Sequence, residues 1–119
     1  MLTVEKASQF AAEWIEAWNS HDLSRILEHY SDDIVFSSPL LASVGGVAGG
    51  SIKGREALGT YFSAALSKFP TLRFELHGVF RGTDAVTIVY KSVNHLEAAE
   101  TMVLNEDFHV KRVWAQYDK

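Results

Sequence analysis

The apolar residues of this chain change their spacing once, at Pro70, and that change constrains the fold more than any other feature. Upstream they recur every three to four residues, at Val4, Ala7, Phe10, Ala11, Trp14, Ile15 and Trp18, and again at Ala57, Leu58, Tyr61, Phe62, Ala65, Leu66 and Phe69. This spacing places apolar side chains on one face of a helix. Downstream, Leu72, Phe74 and Leu76 alternate with Arg73, Glu75 and His77, the period of a strand buried on one face. The chain is therefore expected to be an α+β fold with a helical front and a sheet behind it. Its 119 residues suit one core, so residues 1–119 are expected to form a single domain.

Finer punctuation divides these halves. A first helix is predicted over about residues 3–20, interrupted by Asn19-Ser20-His21-Asp22. Ser20 or Asp22 then caps a short second helix carrying Leu23, Ile26, Leu27 and Tyr30, closed by Ser31-Asp32-Asp33. Ile34 to Ser38 reads as a strand stopped by Pro39. Residues 40–54 hold five of the eight glycines and read as a mobile loop, a candidate lid. A third helix opens at Gly54-Arg55-Glu56 and ends before Pro70. Strands are then predicted over residues 72–77, 85–93, 100–104 and 110–117, joined by short turns into an antiparallel meander.

Composition excludes several classes of function. The formal net charge is −4, and Lys53 with Arg55 and Lys111-Arg112 are diluted by Glu56 and Asp107, so no basic stripe offers itself to nucleic acid. With no cysteine there is no disulfide, thiolate metal site or cysteine nucleophile. The five histidines are scattered without i,i+4 pairing, which argues against a metal site. No stretch approaches the length of a membrane span, and the first ten residues lack the apolar run of a signal peptide, so a cytoplasmic location and no membrane partner are expected. No cofactor motif is present; Gly45-Gly46 and Gly49-Gly50 lack the Gly-Lys-Ser/Thr ending of a phosphate loop.

Several local phrases together resemble a known family. They are Trp14-x-x-Ala17-Trp18-Asn19-x-His21-Asp22-Leu23, Tyr30-Ser31-Asp32-Asp33, Gly54-Arg55-Glu56-Ala57-Leu58 and Val113-Trp114-Ala115-Gln116-Tyr117-Asp118. The chain resembles the SnoaL-like branch of the NTF2-like superfamily over nearly its whole length. The resemblance implies a cone: three helices from the N-terminal half on a curved, mostly antiparallel sheet, enclosing a pocket between the sheet's concave face and the first helix. The family includes ketosteroid isomerases, polyketide cyclases, dehydratases and limonene-type epoxide hydrolases, alongside proteins that only bind, so the fold does not choose the reaction. Carried over by position, the isomerase base falls on Ser38, its helix-one tyrosine on Trp14 and its second acid on or near Glu100. A serine is no base of that kind, which speaks against steroid isomerisation. The Asp-Arg-Asp set of the epoxide hydrolases lacks its second inward acid.

Glu100 shares strand parity with Met102 and Leu104, which points it into the pocket, where burial would suit it to proton transfer; alternatively it sits solvated at the strand's start. His95, beside Asn94 at the preceding hairpin, is the second candidate acid or base, against an exposed hairpin imidazole. Tyr90, Ser92 and Ser38 would orient a substrate, with Trp14, Trp18 and Phe62 as aromatic walls or simply core. Tyr30, Phe36, Met102 and Tyr117 complete the expected lining. On the last strand Arg112, Trp114 and Gln116 face away from Val113, Ala115 and Tyr117, and an exposed tryptophan there suggests a homodimer through the sheet. These residues support an enzyme using general acid–base chemistry on a hydrophobic or cyclic substrate, a non-catalytic binder of a small apolar ligand, or a protein-interaction domain.

Overall fold

The computed structural model describes residues 2–119. The first helix, α1 (Val4–Ser20), buries Ala7, Phe10, Ala11, Trp14 and Trp18 of the predicted stripe and adds Ala17, while Val4 at its start is exposed and Ile15 is half-buried. Thr3 caps its start by accepting a bond from the Lys6 amide, and His21 ends it in the left-handed conformation at φ 60°. Asp22 then accepts bonds from the Ser24 and Arg25 amides to open α2 (Leu23–Leu27). The Asn-Ser-His-Asp phrase is thus a helix stop followed by a helix start.

The next segment departs from the sequence reading. Tyr30 belongs to the strand β1 (Tyr30–Ser37) and not to α2, and Asp32 and Asp33 lie exposed within that strand instead of forming a turn. Parallel pairing overrides their turn preference: Tyr30 is aligned with Val110 of a strand at the far end of the sequence, and the Val110 amide donates to the His29 carbonyl. The glycine-rich segment is also ordered, by a helix α3 (Leu41–Gly45) and a strand β2 (Ser51–Lys53). Leu41 is fully buried, Gly46 supplies the left-handed cap, and β2 pairs antiparallel with β1. The described residues therefore form four α-helices where three were expected, the fourth being α4 (Arg55–Lys68).

Beyond Pro70 the sheet is the predicted meander: β3 (Glu75–Arg81), β4 (Ala85–Lys91), β5 (Glu97–Leu104) and β6 (Val110–Tyr117), each antiparallel to the next. With β1 parallel to β6, the strand order is β2-β1-β6-β5-β4-β3. Leu72 and Phe74 precede β3 instead of belonging to it. The Asn19 side chain holds them, donating to the Phe74 carbonyl at 3.0 Å and accepting from its amide at 2.7 Å, while a His21 ring nitrogen meets the Leu72 carbonyl at 2.7 Å. The end of α1 thereby replaces a strand partner and fixes Phe74 against the helix's own tryptophans.

Strand β5 starts at Glu97, so Glu100 lies in its middle and not at a frayed start. It is flanked across the sheet by Ile88 and Ala115 and along its strand by Ala98 and Met102. All four neighbours face the helices and are buried. The opposite face carries Arg112, Trp114 and Gln116, as their parity required; Trp114 remains 43% exposed. The Arg112 guanidinium lies 4.2 Å above the Trp114 ring and donates to the Val35 carbonyl and the Ser37 hydroxyl of β1.

Candidate functional site

A carboxylate in the middle of a central strand, with alanines beside it on two sides, leaves space that larger side chains would have filled. The structure has a cavity there of about 50 Å³ between the sheet and the helices. Glu100, Tyr90 and Ser92 form its polar wall with Tyr117 and Tyr61; Trp18, Phe36, Phe62 and Phe74 form the apolar one. Leu40 and Val44 cover it from the α3 side. That cover is held by buried Leu41, by the Lys68 ammonium donating to the Ser43 carbonyl at 2.7 Å, and by Gly45, where a Cβ would come within 2.6 Å of the Tyr61 ring.

Glu100 is 5% exposed and its Oε1 accepts a 2.7 Å bond from the Tyr90 hydroxyl. Its Oε2 has no partner among the described residues. Among the described residues the lining contains no Lys, Arg or His, so nothing compensates the carboxylate's lost hydration except Tyr90. Burial pushes the Glu100 carboxyl up to about 7, and the Tyr90 bond opposes that rise. All four tyrosines of the chain respond to this group. Burial and the nearby carboxylate push Tyr61 up to about 12 and hold Tyr30, Tyr90 and Tyr117 well above the usual phenol value. The phenols stay neutral donors, and Glu100 alone in this wall changes charge near neutral pH.

The predicted residues separate by position. Trp18, Phe36, Phe62, Tyr90, Ser92, Glu100 and Tyr117 line the cavity. Trp14, Tyr30 and Met102 are buried behind it, with the Trp14 indole donating to the Tyr30 hydroxyl at 3.0 Å. Trp14 also stacks on Phe74 at 5.8 Å and meets the Tyr90 ring edge at 5.2 Å, so it sets the position of the wall. Ser38 is buried beside Tyr61 and Tyr117, its hydroxyl accepting from the Leu40 amide. His95 stands apart. It is exposed at φ 60° on a short 3₁₀ turn (Val93–His95), and it lines an outer groove separated from the cavity by Phe69, Leu72, Phe74, Ser92 and Val93. The turn swings its imidazole outward, which removes it from the set around Glu100.

Tyr61 was missed as a site residue, being visible only as one more apolar position of a helix. The glycine-rich stretch was read as a mobile candidate lid, but nothing in it signalled that Leu40 and Val44 would be anchored over the cavity. Among the described residues, no group of three or more His, Asp or Glu is placed to hold a metal ion, and no helix is long and apolar enough to cross a membrane.

The family model described as a SnoaL-like domain matches residues 11–115. A SnoaL-like protein of unknown function from Burkholderia thailandensis is 37% identical and superposes with a TM-score of 0.93, covering 99% of this chain and 98% of that one. The chain therefore belongs to the SnoaL-like family. At lower identity the likeness is one of fold. The epoxide hydrolase/cyclase-like enzyme SalBIII, which acts in pyran ring formation in the polyether salinomycin, is 17% identical with a TM-score of 0.79, over 98% of this chain and 94% of that one. An NTF2-like protein of unknown function from Cytophaga hutchinsonii is 14% identical with a TM-score of 0.73, over 99% and 92% of the two chains. No curated protein matches the sequence.

The position of Glu100 has a consequence for stability. Its carboxyl moves from an ordinary 4.5 to about 7 on folding, so between those values the folded chain binds more protons than the unfolded one and stability falls as pH rises. The penalty is absent below the lower value and complete above the upper, at about 3 kcal/mol. Glu100→Gln is therefore expected to match the wild type in urea denaturation near pH 4 and to exceed it by about 2 to 3 kcal/mol near pH 8. A difference that did not change with pH would contradict the assignment.

Proposed function

We propose that the cavity is an active site that binds a small hydrophobic or cyclic organic molecule and moves a proton on it by general acid–base chemistry. Glu100 is the proton-transfer group in this reading. Tyr90 holds the carboxyl in place, Ser92, Tyr117 and Tyr61 present hydroxyls around it, and Trp18, Phe62 and Phe36 form the walls. The supporting observation is the state of Glu100: a buried carboxyl with one oxygen bonded to Tyr90, the other oxygen unpartnered, and a titration range raised to about 7. A general acid or base works best when its pKa lies near the working pH, and a structural carboxylate would be expected to carry a cationic partner. The resemblance to isomerases and cyclases of the same fold is consistent with this and does not choose among their reactions.

The small volume favours a second reading, a non-catalytic binder of a small apolar ligand. At about 50 Å³ the cavity is far below the roughly 300–1,000 Å³ of ordinary ligand pockets, so a substrate would need Leu40 and Val44 to move. One assay separates the two. Small cyclic ketones are incubated with the protein in deuterated water, and exchange at the carbon next to the carbonyl is followed by NMR. Enzyme action predicts exchange that rises with pH through about 7 as the Glu100 carboxylate forms, and a loss of about 10²- to 10⁴-fold in Glu100→Gln. Binding of the ketones with no exchange above the Glu100→Gln level would support the binder.

The outer sheet face carries a further proposal, a homodimer through Arg112, Trp114 and Gln116, to which the exposed Phe80 adds apolar area. Light scattering should give twice the chain mass, with Trp114→Ala shifting it to the monomer. A monomer mass for the wild type at high concentration would remove the proposal.

A further inference from the structure

A wall one side chain thick divides the cavity from an outer groove of about 780 Å³, because Phe69, Leu72, Phe74, Ser92 and Val93 line both. The two sides of that wall differ in charge. Inside, the lining holds the Glu100 carboxyl and, among the described residues, no Lys, Arg or His. Outside, Arg73, Lys91 and His95 line the groove, with Glu75 as the acidic residue among them.

The cations of the groove are not spent on partners within the chain. Of the five arginines, Arg25 and Arg55 form ion pairs with Glu16 and Asp32, and Arg81 and Arg112 donate to backbone carbonyls. Arg73 is exposed and, among the described residues, has neither a hydrogen bond nor an ion pair. Lys91 is aligned with Glu75 and Glu97 in the strand register, yet both carboxylates approach His77 instead, at 3.8 and 2.7 Å. The hairpin turn beside the groove holds Asn94 at φ 55° and His95 at φ 60°, successive left-handed positions of which the second favours glycine. His95 occupies that position with a side chain that lines the groove.

We infer that the outer groove binds a carboxylate of the substrate, which makes the substrate an organic acid: a small ring that enters the cavity, carrying its carboxylate on a short tether that ends at Arg73 and Lys91. The inference rests on the acid–base reading of the cavity and names the class of molecule that the site takes. Charge fixes the orientation. A carboxylate inside would meet the ionised Glu100 with no cation to offset either group, whereas outside it the planar Arg73 guanidinium can hold both oxygens of the anion. The division also eases the constraint of volume, since the cavity of about 50 Å³ has to expand only for the ring. The tether passes the half-buried Phe69 and Val93, which are the least enclosed members of the wall.

The probes for a test are 3-(4-oxocyclohexyl)propanoate and the matching propanamide, which share ring, ketone and tether and differ in charge. Binding is read by tryptophan fluorescence, and exchange of the ring hydrogens beside the ketone is followed by NMR in deuterated water. The wild type is expected to bind the acid about five- to tenfold more tightly than the amide, a preference that shrinks as salt is raised. Arg73→Gln is expected to remove most of this preference and the double variant Arg73→Gln/Lys91→Gln to leave none. In exchange kinetics the loss should appear as a higher KM for the acid with kcat within about twofold of the wild type, because the anion is held equally before and during proton transfer. Equal affinity for acid and amide in the wild type, or a preference that survives the double variant, overturns the inference; exchange that still depends on Glu100 then leaves the acid–base reading standing. An Arg73-dependent preference without Glu100-dependent exchange has the opposite meaning, keeping the groove as the carboxylate site and removing the acid–base reading. Binding of neither probe to the wild type also overturns the inference.

Discussion

A carboxyl group removed from water needs a cation, several donors or a proton, and among the described residues Glu100 has a single donor, the Tyr90 hydroxyl. The arrangement around the cavity can be understood as the means of tolerating that group. Ala98 and Ala115 keep the space beside it small-sided, which leaves the carboxyl room to face the helices instead of being squeezed toward the sheet. The tyrosines on β1, β4, β6 and α4 surround it with neutral phenols whose own ionisation the carboxylate further disfavours. The proton is then the remaining means of neutralisation, and it can come and go near neutral pH.

The supporting shell is aromatic and rigid. Trp14 joins three of its parts at once, since its indole bonds the Tyr30 hydroxyl while its rings touch Phe74 and Tyr90. Phe74 is fixed by Asn19, and Asn19 lies where α1 gives way to the turn into α2. A phrase that looks like helix punctuation in the sequence is thus also a clamp on a cavity wall. Precision of this kind is what a proton-transfer site needs, because small displacements of the reacting groups cost rate steeply.

How much of this could be read from the residues alone follows from where the information lies. The change of period at Pro70 and the turn chemistry of Asn19 to Asp22 are local, and both gave the right elements. The inward parity of Glu100 and the outward parity of Trp114 also held, because alternation along a strand survives errors at its ends. What failed depended on distant partners. Tyr30 was assigned to a helix because its strand exists only through pairing with β6, some eighty residues away. The segment from residue 40 to 54 appeared featureless because its order comes from Leu41 packing in the core and from contact with α4, neither of which leaves a periodic trace. His95 was drawn into the site by proximity in sequence to Glu100, and the left-handed backbone of its turn carries it out.

The proposed acid–base site depends on the ionisation of one side chain, which can be observed directly. In protein labelled with ¹³C at the glutamate side-chain carboxyl, the Glu100 signal is identified by its loss in Glu100→Gln and followed across the pH range. Burial predicts a titration midpoint near 7 for this signal, well above the ordinary value of 4.5 for a glutamate carboxyl. A Glu100 midpoint at that ordinary value would mean that the carboxylate is solvated or paired in solution, and the acid–base site proposed here would fall with it.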